Sequence, residues 1–172
     1  MKQLLLFTLA YFLSAGVQAQ VSPLLKAHAY IRHSTPGAVP KVIAREEGSP
    51  IKKSATALVN YSIYIEVKKG SSIIINRLWI EGKAFKARKE TVLETPVVFK
   101  QQAIGNQYQT DTLVQKTNHI VWKLVQDGMQ NTVLKVPEKS RGNALLIEYS
   151  WKGKKYYYAV KEWKKLPPLI LQ

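Results

Sequence analysis

The sequence predicts an all-β fold: a two-sheet antiparallel β-sandwich, immunoglobulin-like or related, with about eight or nine strands. Two observations lead to this class. Apolar and polar residues alternate along several segments, and glycine- or proline-containing turns separate those segments at short intervals. In addition, no segment has a sustained helical apolar period. The chain has no cysteine, so the fold must depend on its own apolar core.

Residues 1–19 have the pattern of a secretory signal peptide. Lys2 precedes an apolar run from Leu4 to Leu13, and Val17-Gln18-Ala19 is a small-x-small cleavage site. The run is shorter than the roughly 20 apolar residues of a spanning helix. We therefore predict cleavage after Ala19, a single domain over 20–172, and an exported protein, periplasmic or secreted, with no transmembrane helix in its mature form. The leader and the absence of cysteine favour a bacterial envelope protein.

The first predicted strand covers residues 26–33, and a proline-containing long loop or edge segment follows over 34–55. The second strand shows the clearest alternation and ends near residue 68. The third, over 73–81, is apolar on both faces and is therefore expected to be central. The apolar face of the second strand is predicted to contain Ala57, Val59, Tyr61, Ile63, Ile65 and Val67.

Further short strands are predicted at 92–100, 112–116, 119–126 and 132–136, with Asp127-Gly128 opening a turn before the last of them. Strands at 143–151 and 155–163 form a final hairpin around Lys152-Gly153-Lys154, and residues 164–172 form a tail. In this hairpin, Tyr156, Tyr158 and Val160 are expected to face the core beside Ile147 and Tyr149. The opposite face is expected to contain Lys155, Tyr157, Ala159, Lys161 and Trp163.

Basic residues dominate the composition, with 26 Lys and Arg against 11 Asp and Glu and a formal charge of +15. Such a surplus favours anionic partners, although lysines also keep exposed sheet surfaces soluble. In the final hairpin the lysines accompany aromatic residues that could stack on sugar rings or bases. The alternative is that Tyr157 packs on a neighbouring strand. The candidate binding residues are Lys154, Lys155, Tyr157, Lys161 and Trp163.

The residues that could perform chemistry do not form a recognisable catalytic or metal-binding pattern. His28 and His33 are five apart and lie on opposite faces of a strand, and no G-x-S-x-G elbow occurs. The glutamates of predicted strands could converge as a hydrolase pair, although lysine neighbours explain them more simply. These glutamates are Glu66, Glu81, Glu94 and Glu148.

We therefore predict a non-enzymatic binding or accessory module of the envelope, without metal or cofactor. Its expected partner is an anionic envelope component, whether a protein, a glycan or a lipid headgroup. Nucleic acid is not expected, because an exported protein rarely meets it. Two alternatives remain open: a carbohydrate-binding module that uses Tyr157 and Trp163, and a glycan hydrolase with converging glutamates.

Overall fold

The computed structural model describes residues 22–36, 58–102, 108–129 and 134–171. The predicted leader, its cleavage site and residues 37–55 of the predicted long loop lie outside these ranges. Within them the chain is mostly strand, with one 3-10 turn at Glu138–Ser140. No helix among the described residues is long and apolar enough to cross a membrane. The all-β prediction is confirmed.

Eleven strands occur in the described residues, more than the sequence predicts. They are β1 (Leu24–Pro36), β2 (Leu58–Val67), β3 (Ile74–Ile80), β4 (Lys83–Val92), β5 (Val97–Gln102), β6 (Tyr108–Val114), β7 (Ile120–Met129), β8 (Leu145–Trp151), β9 (Lys154–Val160), β10 (Lys164–Lys165) and β11 (Leu169–Leu171).

The strands form one large curled sheet and one small sheet. The large sheet has the order β10-β1-β2-β7-β4-β3-β8-β9, and β11 also pairs with β1. Its pairings are antiparallel except for those of β10 and β11, which run parallel to β1. The small sheet is the hairpin β5–β6.

The main core lies on one face of the large sheet, here called the inner face. Ile63, Ile65 and Val67 of β2 are at most 1% exposed, as the alternation predicts. Leu145, Ile147 and Tyr149 of β8 belong to the same cluster. The hydroxyl groups of Ser22 and Tyr149 lie 2.8 Å apart, which connects the entry to β1 with the far side of the sheet. The inner face is therefore the inside of the curl.

The opposite, outer face is covered in two places. The β5–β6 hairpin packs Leu113 and Val114 against Tyr30 and Tyr64, and the Tyr30 hydroxyl donates a 2.6 Å hydrogen bond to the Leu113 carbonyl. A second, smaller cluster joins Trp79, Ala84 and Leu146, with Leu134 and Tyr157 packed against it. The small sheet therefore covers only part of the large one.

The sequence did not predict β4. Its inner positions include Phe85, Ala87 and Lys89, and its outer positions include Lys86 and Arg88, so apolar alternation is weak. Pairing with β7 on one side and β3 on the other nevertheless holds it inside the large sheet. Backbone hydrogen bonding on both edges outweighs the poor side-chain pattern here.

Other segments also differ from the prediction. The described residues 134–136 of the strand predicted at 132–136 have no regular structure. Asp127 and Gly128 lie within β7, where the register against β4 shifts and Gly128 has a φ of 80°, so they form a bulge rather than a turn. The predicted tail instead adds β10 and β11 beside β1. The chain thus passes from β9 at one edge of the sheet to β1 at the other.

Candidate functional site

The β8–β9 hairpin forms as predicted, with a tighter turn. Lys152 and Gly153 have φ values of 49° and 73°, and Lys154 already pairs with Trp151. Positive φ at both central residues is the signature of the two-residue turn that matches strand twist. Tyr156 and Tyr158 pack against the inner-face core, as the phasing predicts.

The two aromatic candidates lie on different faces of the sheet. Trp163 packs against the inner-face core, with its ring centroid 4.8 Å from that of Tyr61. Tyr157 packs on the outer face beside Trp79 and Leu146. Because β9 ends at Val160, strand alternation does not extend to Trp163. The prediction that Trp163 shares the face of Tyr157 is therefore wrong.

One exposed lysine of the hairpin, Lys155, pairs with a buried carboxylate. Glu148 is only 3% exposed and lies opposite Tyr157 in the β8–β9 pairing. Lys155 Nζ lies 3.2 Å from Glu148 Oε1, and Trp79 Nε1 donates a 3.2 Å hydrogen bond to Oε2. Arg77 Nε lies 3.6 Å from Oε2. A buried carboxylate requires such partners, because burial without them is costly.

Cations outnumber the acid in this cluster. The Arg77 guanidinium lies 5.7 Å from the centre of the Trp79 ring, and Lys139 Nζ lies 5.6 Å from the centre of the Tyr157 ring. The Lys155 side chain is 57% exposed. Two cations, Lys155 and Arg77, therefore approach the carboxylate, and Lys139 lies beside the neighbouring Tyr157 ring. We call these residues the Glu148 cluster: Arg77, Trp79, Lys139, Glu148, Lys155 and Tyr157.

This arrangement is suited to binding an oxyanion at the surface. An arginine fork and nearby ammonium groups bind carboxylate, sulfate or phosphate through charge-assisted hydrogen bonds. Each carboxylate oxygen of Glu148 contacts at least one donor within the protein, so the Glu148 side chain is placed to orient the cations. The other predicted lysines, Lys154 and Lys161, are exposed at the two ends of the same hairpin region.

A second buried acid lies elsewhere on the outer face. His28 Nε2 and Glu66 Oε1 are 2.7 Å apart, and both residues are nearly buried. Burial alone would raise the pKa of Glu66, but hydrogen bonds from His28 and Thr117, together with the charges of His28 and Lys26, lower it below its usual value.

The four glutamates considered as catalytic candidates occupy different settings. Glu66 on β2 and Glu148 on β8 are separated by β7, β4 and β3 in the large sheet. Glu81 lies in the β3–β4 turn, and Glu94 lies between β4 and β5. Within the described residues, no group of three or more His, Asp or Glu side chains is arranged to hold a metal ion.

Comparison with protein-family models, with curated proteins and with solved structures found no match for this chain. The site must therefore be interpreted from its own residues.

Sequence analysis missed three members of the cluster, namely Arg77, Trp79 and Lys139. Arg77 and Glu148 become neighbours through the β3–β8 pairing, and Lys139 approaches through the 3-10 turn. The one available signal was that Glu148 occupies the phase of β8 opposite the apolar core. A carboxylate in that phase must find a partner on a neighbouring strand, but the sequence does not name the strand.

Proposed function

We propose that this protein is an exported, non-enzymatic binding module that takes an anionic partner through the outer face of β3, β8 and β9. In this proposal the small sheet and the large sheet act as the two layers of a sandwich-like scaffold. The secretory leader pattern and the formal charge of +15 support export and an anionic partner, respectively.

One observation carries the proposal: buried Glu148 holds cations from two strands at one place. Lys155 from β9 and Arg77 from β3 both approach its carboxylate, at 3.2 Å and 3.6 Å. A purely solubilising lysine has no such anchor. Because the Lys155 side chain is still 57% exposed, its ammonium can contact a ligand while Glu148 orients it.

The partner class that fits best is a flexible acidic polymer, such as a sulfated or carboxylated glycan. Lys155 lies on the outer face with Tyr157, Lys154 is exposed in the opposite phase at the turn end of β9, and Lys161 is exposed just beyond the other end. The partly buried Tyr157 ring between them offers an apolar surface for a sugar face. Cations spread over the length of the hairpin, one of them beside an aromatic ring, suit a charged chain better than a single small ion.

The test is retention on a sulfated-dextran column at increasing salt, with binding constants from titration. The variant Lys154→Glu/Lys155→Glu/Lys161→Glu should elute much earlier than the wild type. A matched variant, Lys83→Glu/Lys100→Glu/Lys165→Glu, has the same net charge and changes exposed lysines on other strands. In the first variant the slope of log K against log salt should become shallower by about 0.7 to 0.9 for each lysine that pairs with a sulfate group in the wild type.

A second variant separates organised recognition from bulk charge. Arg77→Lys retains the positive charge but loses the planar fork. We expect it to weaken binding several-fold and to elute earlier than the wild type, although its net charge is unchanged. Equal losses in both triple variants, together with wild-type affinity for Arg77→Lys, would contradict a site at the Glu148 cluster.

A further inference from the structure

One end of the large sheet carries many lysines and two exposed, isolated apolar side chains. The connections β2–β3, β4–β5, β6–β7 and β8–β9 all lie at this end, because β1 begins where β2 ends and β3 begins where β8 ends. We call it the lysine end. Its exposed cations are Lys26, Lys68, Lys69, Lys116, Lys152 and Lys154.

The charge at this end is strongly one-sided. The four connections contain Lys68, Lys69, Lys116 and Lys152, whereas Glu94 is their only acidic residue. All of these connections are described completely in the structure. The lysine end therefore presents a concentrated positive potential to whatever approaches along the sheet axis.

Two large apolar residues protrude at the same end. Leu93 follows the last residue of β4 and is 92% exposed, and Ile74 at the start of β3 is 66% exposed. Neither belongs to a core cluster. They are isolated from each other in the sequence, one in the β4–β5 connection and one on β3, whereas a protein interface buries a contiguous apolar patch.

The connections at this end are held by hydrogen bonds. The Thr95 hydroxyl donates to the Thr117 carbonyl at 3.3 Å and accepts from the Thr117 backbone N–H at 3.2 Å, which joins the β4–β5 and β6–β7 connections. The backbone N–H of Lys68 donates to the Pro23 carbonyl at 2.9 Å. Leu93 and the lysines are therefore presented on a supported surface.

We propose that the lysine end docks on the surface of an anionic lipid bilayer. Lysines meet the headgroup charge, and single leucine or isoleucine side chains enter the boundary with the acyl chains. This combination favours a bilayer over a soluble acidic macromolecule, which would use the lysines but would leave Leu93 exposed. The lysine end shares Lys154 with the hairpin surface proposed above but contains no member of the Glu148 cluster. The variants used below leave Lys154 unchanged, so each proposal can fail alone.

The experiment is co-sedimentation of the protein with lipid vesicles. The protein is recovered from expressing cells, and its N terminus is determined by mass spectrometry. One set is phosphatidylcholine with about one third phosphatidylglycerol, and the other is phosphatidylcholine alone. We expect Lys68→Gln/Lys69→Gln to weaken partitioning onto the anionic vesicles by about 25-fold, or about fivefold for each lysine. The matched control Lys83→Gln/Lys135→Gln lies at the opposite end of the sheet and should change it less than about twofold.

The apolar part has its own matched pair. Leu93→Ser should weaken partitioning by about tenfold, whereas Leu58→Ser, which changes a leucine that is 63% exposed at the opposite end, should have little effect. Since Leu93 is almost fully exposed, its replacement leaves the core intact.

Three outcomes would overturn the proposal. Absence of binding to the anionic vesicles is the first. Equal losses in the two lysine variants would show a general charge effect. A lysine dependence with identical behaviour of Leu93→Ser and Leu58→Ser would show purely electrostatic adsorption and would remove the apolar insertion that distinguishes a bilayer from other polyanions.

Discussion

The buried carboxylate of Glu148 offers a quantitative test of the structure. Glutamine at this position retains an oxygen that can accept the Trp79 Nε1 hydrogen bond but removes the charge opposite Lys155 and Arg77. Breaking a fully buried ion pair costs about 3 to 5 kcal/mol. Here the cations left behind can reach water, because their side chains are 57% and 26% exposed. We therefore expect Glu148→Gln to lower the free energy of unfolding by about 1 to 2 kcal/mol.

Leucine at the same position should cost more, for a specific reason. It removes the acceptor of the Trp79 indole N–H, and Trp79 is only 3% exposed. A buried donor without an acceptor costs about 1 to 3 kcal/mol. The expected loss for Glu148→Leu is therefore about 2 to 4 kcal/mol.

Urea unfolding monitored by fluorescence and circular dichroism measures both values, and a double-mutant cycle isolates the cause. In a Trp79→Phe background the indole donor is absent, so the difference between the Gln and Leu variants should nearly vanish. A difference that persists in that background, or equal stabilities of the two variants in the wild-type background, would refute the assigned hydrogen bond.

Two further predictions concern stability. The pKa of Glu66 is lower in the folded state than in the unfolded chain, so the folded state binds fewer protons and stability must fall as pH falls through the acidic range. The stability advantage of wild type over Glu66→Gln should therefore shrink between about pH 5 and pH 3, and an advantage that stays constant over that range would contradict the lowered pKa. Lys152 and Glu81 adopt φ values of 49° and 50° in two-residue turns. Asn tolerates positive φ better than Lys or Glu, so replacing either residue by Asn should raise the free energy of unfolding by about 0.5 kcal/mol and shift the urea midpoint upwards. A lower midpoint would exclude this turn geometry.

The final hairpin shows where local residue patterns predict the face that a side chain occupies and where they do not. Alternation alone placed Tyr156 and Tyr158 in the core and Tyr157 on the other face, because side chains on a continuous strand must alternate. The same rule failed at Trp163, where the strand has ended. Nothing in the local sequence marks that end, since the tryptophan is fixed by packing on Tyr61 of a distant strand.

The β4 strand shows the complementary failure. Its basic residues fall on both faces, so the sequence has no apolar period that would predict a strand. It is a strand because it pairs with β3 and β7 in the large sheet. The same dependence on neighbours governs the candidate site. Lys155 and Tyr157 were identified from their own hairpin, whereas Arg77 and Trp79 became partners of Glu148 through the β3–β8 register.

The amino-acid sequence by itself determined the all-β class and the inward and outward faces of the regular strands, because these depend on period-2 alternation over a few consecutive residues. It also determined the basic character of the protein, which requires only counting. The tertiary structure decided the curled order of the large sheet, the burial of Glu148 among cations, and the gathering of lysines with Leu93 and Ile74 at one end. Those features depend on which distant strands hydrogen-bond to one another, and the local residue pattern of a single strand does not predict its pairing partners.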